Sequence, residues 1–386
     1  MRIALVAEDY YPQLGGVPEH VHNLAVQLLG WGHHVHVITA RMSGVEEGAD
    51  APFVRRVGTS VVIYSNGGVA RVTVGWRLQR RLEELFRAER YDVVHVHGGL
   101  APTFGVVAPL AAWRVGIPVV ATFHSWFPRS VGLRVFRPIF QRLLDRHAAA
   151  IAVSAPVVEA MSRYLRADWE IIPNGVNTTF FQPNGRRPID ALRRGPRLLF
   201  LGRLEPRNGL NVLLQAMPHI LQRFPNAVLT GAGDGPWRGY YERRARRLGI
   251  ARGSQVRFVG RVFAERPLLY AAADLYLCPT TRASFGVTLL ESMACGTPMV
   301  LTDNVGFRSV VRDGREAVFL ADQRPEIWAE TVIGLVADVE RRTAMARAGL
   351  DRASEFAWPL VAERELAVYR RVTGLTEVEL RKSLSA

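Results

Sequence analysis

The alternation of short apolar runs with longer segments of helical periodicity constrains the fold of this chain more than any other feature. In the first half, the runs of strand length are RIALVA (2–7), HVHVITA (34–40), VVIYS (61–65), DVVHVH (92–97), PVVATF (118–123) and AIAVS (150–154). Segments with a helical pattern lie between and after them, at 18–29, 76–90, 101–115, 138–149 and 155–165. Strands separated by helices form parallel α/β sheets, so the first half is predicted to build one.

The alternation begins again after a polar stretch with Pro and Gly, NTTFFQPNGRRPID (177–190), which is typical of a linker. The second set of strands is predicted at 197–203, 227–233, 256–260, 275–279 and 298–302, with helices at 209–223, 236–248, 265–273 and 286–295 and a helical region from Pro325 onward. We therefore predict an α/β fold of two doubly wound, Rossmann-like domains that face a central cleft, at 1–178 and 179–356.

Composition agrees with two folded domains. The chain has 386 residues, of which 48% are hydrophobic and 22% charged, which is enough apolar material for two cores. Apolar runs stay shorter than the ~18 residues of a spanning helix, and the N-terminal MRIALVAEDYYP has the pattern of a first strand rather than of a secretory signal. The two cysteines, Cys278 and Cys295, lack metal-ligand spacing. We expect a cytoplasmic protein.

Charge is the outlier, with a formal net value of +14 at pH 7 that comes almost entirely from Arg. Such a surface suits anionic lipid, nucleic acid or phosphorylated small molecules, although Arg-rich coding alone also produces it. The segment GWRLQRRLEELFRAER (75–90) has an apolar side and many arginines. It fits an ordinary surface helix, or one that contacts an anionic membrane. No nucleic-acid-binding module is recognised.

Several candidate ligand-binding residues follow predicted strands, where α/β sheets bind their ligands. Gly15 and Gly16 follow the first strand and precede a helix, with Pro18 suited to its first position, so backbone N–H groups there can approach a phosphate. His124 ends the strand of TFHSW and can reach a ligand. In the second half, Arg203 and Arg207 of LGRLEPRNG lie where a strand meets a helix, and two guanidinium groups there can clamp a diphosphate.

Two further motifs differ in how specific they are. GAGDGP (231–236) suggests dinucleotide binding, but Pro236 stands where the third fingerprint glycine belongs, so a NAD-dependent oxidoreductase is poorly supported. SFGVTLLESMACG (284–296) offers backbone amides at a helix start, with Ser284, Phe285 and Gly286 before it. Glu291 lies two helical turns beyond Ser284 on the same face, and a carboxylate there suits a ribose diol.

Taken in order, these motifs resemble one enzyme family. The set GGV (15–17), TFH (122–124), IPNGV (172–176), LGR (201–203), GAGD (231–234) and FGVTLLESMACGTP (285–298) resembles the retaining glycosyltransferases of family 4, which have the GT-B fold. The resemblance covers nearly the whole chain and includes a closing segment, 357–386, whose helix crosses back to the first domain in this family. SNGGVAR (65–71), HSWFPRS (124–130) and the basic helix look most like the members that mannosylate phosphatidylinositol.

The resemblance implies a role for each candidate residue. Catalysis would involve His124 at the junction of acceptor and donor, Arg203 on the donor diphosphate and Glu291 on the ribose. Substrate-binding positions would be Gly15, Gly16, Asn66, Arg71, Arg129, Asn174, Arg207, Val262, Ser284, Phe285 and Gly286, with Asn66, Arg71 and Arg129 on the lipid head group and the backbone near Val262 on the base. The implied partners are a nucleotide-sugar donor, with GDP-mannose favoured, and a lipid acceptor at the inner membrane face. Neither a metal nor a cofactor is expected.

Two positions depart from the family pattern. The family usually has a second carboxylate eight residues before Glu291, where this chain has Ala283, and a Lys near the diphosphate, where it has Asn208. A positioned charge in such a site is worth on the order of 10²–10³ in rate. The alternatives to a mannosyltransferase are therefore a family 4 enzyme for a different donor sugar, and a weakly active or non-catalytic binding protein.

Overall fold

A computed structural model describes residues 1–13, 15–42, 51–65, 68–100, 103–184, 195–251 and 255–375, without the side chains of 63–65 and 68–70. The chain divides into two compact units. The first unit contains residues 1–175 together with the chain from Trp358 onward, and the second contains Val176–Ala357.

The first unit is built on an eight-stranded sheet in its described residues. Its strands are β1 Arg2–Ala7, β2 His34–Arg41, β3 Val54–Ser65, β4 Gly68–Val74, β5 Val93–His97, β6 Val119–Phe123, β7 Ala149–Ala152 and β8 Trp169–Ile171. They lie in the order β4-β3-β2-β1-β5-β6-β7-β8 and are parallel except for the antiparallel pair β3–β4. The chain therefore reverses its winding direction at β1, which has β2 on one side and β5 on the other.

Helices cover both faces of this sheet because β1 is apolar on both sides. The helices are α1 Gly16–Gly30, α2 Leu78–Glu89, α3 Phe104–Arg114, α4 Val131–Val135, α5 Arg137–Leu144, α6 Ala155–Ser162 and the C-terminal α14 Trp358–Thr373. Ile3 and Leu5 pack in the cluster formed with α1 and α14, whereas Ala4 and Val6 pack in the cluster formed with α2 and α3. Strands buried on both faces read as continuous apolar runs, as the sequence of β1 does.

The second unit contains a six-stranded sheet, again within the described residues, and all of its strand pairs are parallel. The strands are β9 Arg197–Leu201, β10 Val228–Ala232, β11 Val256–Gly260, β12 Leu275–Cys278, β13 Met299–Thr302 and β14 Ala317–Leu320, in the order β11-β10-β9-β12-β13-β14. The helices are α7 Leu210–Arg223, α8 Arg238–Arg247, α9 Arg266–Ala272, α10 Val287–Ala294, α11 Val305–Arg308, α12 Pro325–Ala337 and α13 Val339–Ser354.

The predicted pair of parallel α/β sheets is confirmed, with local corrections. Three strands were not predicted: β4, which forms an antiparallel hairpin with β3, the three-residue edge strand β8, and β14. Short or edge strands carry little periodicity, so the pattern does not reveal them. The helix predicted at 138–149 ends at Leu144, since β7 begins at Ala149. Of the predicted linker, 185–194 lies outside the described residues.

Candidate functional site

The two glycines after β1 form the start of α1. The helix begins at Gly16, and both Gly15 and Gly16 are exposed. The expectation that Pro18 takes the first helical position is wrong, since it is the third helical residue and is buried. Proline is still tolerated there, because the first four N–H groups of a helix have no partner within it. The exposed backbone at this end can therefore receive an anion.

His124 lies beyond the end of β6 and is partly exposed. Its Nε2 is 3.3 Å from Nδ1 of His97, which ends the neighbouring strand β5. Burial of the ring, followed by the nearby His20 and His95, holds the pKa of His124 well below its ordinary value, and a hydrogen bond with Asn174 opposes the shift only in part. A neutral imidazole can accept a hydrogen bond from a ligand hydroxyl.

Asn174, near the end of residues 1–175 of the first unit, also lies close to His124. Its side chain is buried, and its Oδ1 is 3.0 Å from Nδ1 of His20 in α1. The ring of His20 in turn stands 5.0 Å from that of His124, centre to centre. The structure thus brings His124 and Asn174 together around His20, a residue of α1 one helical turn beyond Gly16 that was not a candidate.

The candidates for the lipid head group are Asn66, Arg71 and Arg129, and the structure describes two of them. Arg71 is partly exposed on β4, with Nε 3.7 Å from Asp9 Oδ1 and Nη1 donating to Ser60 Oγ at 3.2 Å. Arg129 is exposed in the segment between β6 and α4. Asn66 lies outside the described residues. Of these three, Arg71 alone is tied to the carboxyl end of β1 by a contact that the structure describes.

Glu8 is a functional candidate that sequence reasoning missed, although it directly follows β1. Its carboxylate accepts hydrogen bonds from Thr103 Oγ1 at 2.5 Å, from the Phe104 amide at 2.6 Å and from the hydroxyl of Thr73. Burial raises the pKa of Glu8, and these hydrogen bonds limit the rise. Glu8 therefore fixes the start of α3 and the strand β4 at the end of β1.

In the second unit, Arg203 and Arg207 share one carboxylate. Arg203 Nη2 is 2.9 Å from Glu205 Oε1, and Arg207 Nε donates to Glu205 Oε2 at 3.0 Å. The carboxylate is buried, while each arginine side chain remains 47% exposed. Glu205, which was not predicted, holds the two guanidinium groups together beyond β9 with N–H groups left for a ligand. The neighbouring Asn208 donates its side-chain amide N–H to the Arg203 carbonyl oxygen at 2.7 Å.

The segment before α10 presents backbone rather than side chains. Gly286 precedes the helix with φ +122°, a conformation that glycine adopts at little cost. Phe285 is buried, and its ring centre lies 6.1 Å from that of Phe356, so only its backbone is available to a ligand. Ser284 and Val262 are partly exposed, Val262 just after β11. The backbone N–H groups that open α10 suit a phosphate or a sugar hydroxyl.

Glu291 is buried, and both of its oxygens have protein partners. Oε1 accepts from Arg266 Nη1 at 2.6 Å, and Oε2 accepts from the Tyr270 hydroxyl at 3.0 Å. Burial, followed by the charge of Glu291, raises the pKa of Tyr270 well above its ordinary value, so this hydroxyl stays a donor. A ribose diol would therefore have to share Glu291 with two residues of α9, neither of which the sequence pattern indicated.

One group of described residues has the composition of a metal site: the donor atoms of His34, His36 and Glu89 all lie within 4.8 Å of one another. Guanidinium groups already occupy this position. Arg2 Nη2 donates to Glu89 Oε2 at 3.0 Å, and Arg55 Nη2 is 3.0 Å from His36 Nε2. Because two cations contact the ligand atoms, the group does not favour a divalent ion, and we assign no metal to it.

Comparison with known proteins identifies both halves. Residues 14–180 match the model of Glycosyltransferase Family 4, and residues 195–338 match that of Glycosyl transferases group 1. A phosphatidyl-myo-inositol mannosyltransferase of Mycobacterium tuberculosis is 34% identical over 97% of this chain and 98% of its own.

Two other similar proteins show how broad the group is. A D-inositol 3-phosphate glycosyltransferase of Segniliparus rotundus is 32% identical over 73% of this chain and 67% of its own. The crystal structure of Anabaena HepE with UDP and glucose superposes with a TM-score of 0.73 at 20% identity, over 97% of this chain and 100% of that one.

Proposed function

The chain belongs to glycosyltransferase family 4, has the GT-B fold and is a hexosyltransferase, and we propose that it transfers mannose from GDP-mannose to an inositol phospholipid with retention of configuration. The observation that carries the proposal is the pair Arg203 and Arg207 held on the buried Glu205. Two preorganised cations at the carboxyl end of a parallel strand suit the diphosphate that leaves in this reaction.

The proposed reaction needs charge stabilisation more than a protein base. The bond between the anomeric carbon and the diphosphate oxygen breaks, and the acceptor oxygen bonds to the same face of that carbon. The hydroxyl proton passes to the departing phosphate oxygen. Negative charge then grows on the diphosphate, where Arg203 and Arg207 would stabilise it. No metal or cofactor takes part in this proposal.

The first unit would bind the acceptor. A phosphoinositol head group combines a phosphate, which requires cations, with hydroxyl groups, which require hydrogen-bond partners. Arg71 on β4, which contacts Asp9 beyond the end of β1, provides a cation, and the neutral His124 beside Asn174 provides an acceptor for a hydroxyl. The similarity to a mannosyltransferase named for phosphatidyl-myo-inositol supports this acceptor class, while the similarity to an inositol phosphate glycosyltransferase supports inositol more generally.

Contact with the cytoplasmic leaflet is also part of the proposal, but the helix at 75–90 is a weaker anchor than its pattern suggests. Leu78, Leu82 and Phe86 of α2 are buried in the core, so its apolar side is used within the unit. Trp76, which is 79% exposed, and the exposed arginines of α2 remain for a lipid surface. No helix among the described residues is long and apolar enough to span a bilayer.

A second surface, which we call the α4–α5 surface, fits a membrane better. It is defined by the exposed apolar residues Val131, Val135, Phe136 and Ile139, which are 53–78% exposed. α4 has no buried residue, and α5 has only Leu144. Residues 129–146 contain five arginines and one acidic residue, Asp145. Exposed apolar side chains among arginines are the composition of an interfacial helix on anionic lipid.

The specific observation that favours a second function is the pair of substitutions at Ala283 and Asn208. Asn208 is neutral, and its amide is engaged with the backbone rather than free for a phosphate. A chain that lacks a cation and a carboxylate could bind nucleotide and lipid with little turnover, or could accept a different hexose. Retention of Arg203, Arg207, His124 and Glu291 supports an active transferase instead.

The test is transfer of label from a panel of nucleotide sugars into liposomes that contain phosphatidylinositol. Wild type is assayed beside Arg203→Ala and beside the double variant Asn208→Lys/Ala283→Glu. We expect wild type to transfer mannose from GDP-mannose and Arg203→Ala to lose that transfer. Transfer of another sugar would revise the donor, transfer by the double variant alone would favour the binding protein, and unchanged turnover of Arg203→Ala would overturn the assignment of the diphosphate site.

A further inference from the structure

The first unit contains a buried cluster of titratable groups behind His124. It consists of His20 from α1, His95 and His97 from β5, and Glu365 from α14, and each of them is at most 2% exposed. The ring centres of His97 and His124 lie 5.1 and 5.0 Å from that of His20. The proposed transfer reaction assigns no role to Glu365, which belongs to the C-terminal helix.

Glu365 is unusual because its carboxylate is fully buried and has no hydrogen bond with any residue that the structure describes. Its Oε1 is 3.6 Å from His20 Nε2, and its Oε2 is 3.8 Å from His95 Nδ1. Within the described part of the chain, neither oxygen has a hydrogen-bond partner. A buried carboxylate without a compensating charge or proton costs several kcal/mol. The cluster must therefore supply either a positive ring or a proton at this position.

The contacts of each histidine ring indicate which ring carries the positive charge that compensates Glu365. His95 has hydroxyl groups on both sides, Tyr369 Oη 2.5 Å from Nδ1 and Thr122 Oγ1 2.7 Å from Nε2, and these satisfy a neutral ring. Burial lowers the pKa of His95 to about 4. Burial, and then the neighbouring rings of His95, His20 and His124, hold the pKa of His97 well below its ordinary value. These two rings are therefore neutral at neutral pH.

His20 differs because each of its nitrogens faces an oxygen that accepts. Nδ1 is 3.0 Å from Asn174 Oδ1, and Nε2 is 3.6 Å from Glu365 Oε1. A ring with an acceptor at both nitrogens suits the doubly protonated form, since a neutral imidazole has only one N–H to donate. The two groups are also the nearest oppositely chargeable pair in the cluster.

We propose that Glu365 and His20 form a buried ion pair, with the carboxylate ionised and both nitrogens of His20 protonated, and that this pair keeps His124 neutral and oriented through Asn174. Glu365 is then a positioning residue, which acts on His124 through His20 and touches no substrate. The inference about turnover rests on the proposed function, whereas the ion pair itself does not. It also gives the C-terminal helix a chemical role in the first unit besides packing on α1.

The sign of the effect follows from the distances. The groups that face this pair are His95 and His97 from β5, His124 after β6, Asn174, and Tyr369 and Trp358 from α14. A positive His20 ring lies against His124 and disfavours a second positive ring there. Glu365→Gln removes the negative partner, so His20 loses its proton and His124 takes up a proton more readily. If transfer needs a neutral His124, its rate in this variant would then begin to fall at a higher pH than in wild type as the pH is lowered.

The first measurement is the ¹⁵N spectrum of the histidine rings in the full-length wild-type protein at pH 8. We expect one doubly protonated ring, whose signal disappears in Glu365→Gln and in His20→Gln but persists in Glu363→Gln, a control at an exposed position of the same helix. Absence of that ring in wild type, or its persistence in Glu365→Gln, would overturn the ion pair. Wild type alone decides this point if a variant does not fold.

The second measurement is the pH dependence of transfer. We expect the acid limb of Glu365→Gln to move upward by about one pH unit, which is roughly tenfold in rate on that limb, while Glu363→Gln keeps the wild-type profile. An unchanged profile beside a changed spectrum would overturn the control of His124. If wild type transfers no sugar at all, the proposed function fails, while the spectrum still decides the ion pair.

Discussion

Arg266 and Glu291 form a buried ion pair in the second unit, with Arg266 Nη1 2.6 Å from Glu291 Oε1. The rings of Phe181 and Phe263 flank the guanidinium at 5.3 and 5.4 Å. The carboxylate that is expected to bind ribose thus depends on a residue of another helix. Arg266 sets the orientation of Glu291 and compensates its charge.

Removing that cation should destabilise the second unit. Arg266→Met leaves the Glu291 charge buried with the Tyr270 hydroxyl as its described partner in α9, and breaking a buried pair on one side costs about 3–5 kcal/mol. We expect a loss of that order in urea unfolding. Arg261→Met, at a side chain that is 71% exposed, is the control and should change stability by less than about 0.5 kcal/mol. Equal effects of the two substitutions would contradict the role of the pair.

The Glu205 carboxylate should control nucleotide affinity. Glu205→Gln removes the charge that aligns Arg203 and Arg207, and a hydrogen bond to a charged group contributes about 1.5–3 kcal/mol. We expect the affinity for GDP or UDP to fall by roughly tenfold or more in titration calorimetry. Glu242→Gln, which breaks the helical pair with Arg238 in the same unit, should leave that affinity unchanged. A similar loss in both variants would point to a general electrostatic effect instead.

Gly209 should tolerate no side chain. It has φ +73°, and a Cβ there would lie 2.4 Å from the Pro279 carbonyl oxygen. Gly249 has nearly the same φ, +72°, with nothing within 4 Å of its Cβ position. Gly249→Ala should therefore cost only the conformational strain of about 1–2 kcal/mol, and Gly209→Ala about 1–3 kcal/mol more. Thermal or urea unfolding would measure both, and equal losses would show that the close approach is unimportant.

The first unit should lose stability in mild acid. Burial lowers the pKa of His95 to about 4. Burial is also the largest cause that lowers the pKa values of His33 and His36 to about 4. Because the unfolded chain takes up protons near pH 6.5 and the folded chain does not, stability is complete above that pH and falls as the pH drops toward 4. A single fully buried ring contributes up to about 3 kcal/mol.

Hydrogen exchange at pH 7.5, 6.0 and 5.0, corrected for the intrinsic rate, would measure this loss. Residues 176–357 contain a single histidine, His219, whose side chain is 45% exposed. The second unit therefore serves as an internal control over this range of pH. Equal loss of protection in the two units would contradict the assignment to buried histidines.

The α4–α5 surface should contribute to membrane binding. Phe136→Ser/Ile139→Ser removes two exposed apolar side chains, each worth about 1.5–3 kcal/mol when fully buried in an apolar phase. We expect the affinity for vesicles of phosphatidylcholine and phosphatidylinositol, measured by co-sedimentation, to fall at least tenfold. Val26→Ser, at a 49% exposed position of α1, is the control. If Arg80→Ser/Arg87→Ser in α2 weakens binding and the α4–α5 variant does not, the basic helix is the anchor instead.

Much of the architecture and the location of the candidate sites could be read from the sequence. Apolar runs of strand length report burial locally, so most strands of both sheets are visible without knowledge of their neighbours. Gly16, Arg203 and Gly286 lie where the chain passes from such a run to the next helix. Because parallel sheets bind ligands at the carboxyl ends of their strands, the position of these residues in the chain already places them at an edge where ligands bind.

Tertiary structure alone decided which side chains meet. Glu365 and His20 come from opposite ends of the chain, and Arg266 and Glu291 lie on different helices, so no periodicity predicts either pair. The antiparallel strand β4 and the buried apolar side of α2 depend on the order of strands in the sheet. The physical reason is that a local pattern records how deeply a residue is buried, whereas its charge and hydrogen-bond partners are set by contacts between distant segments.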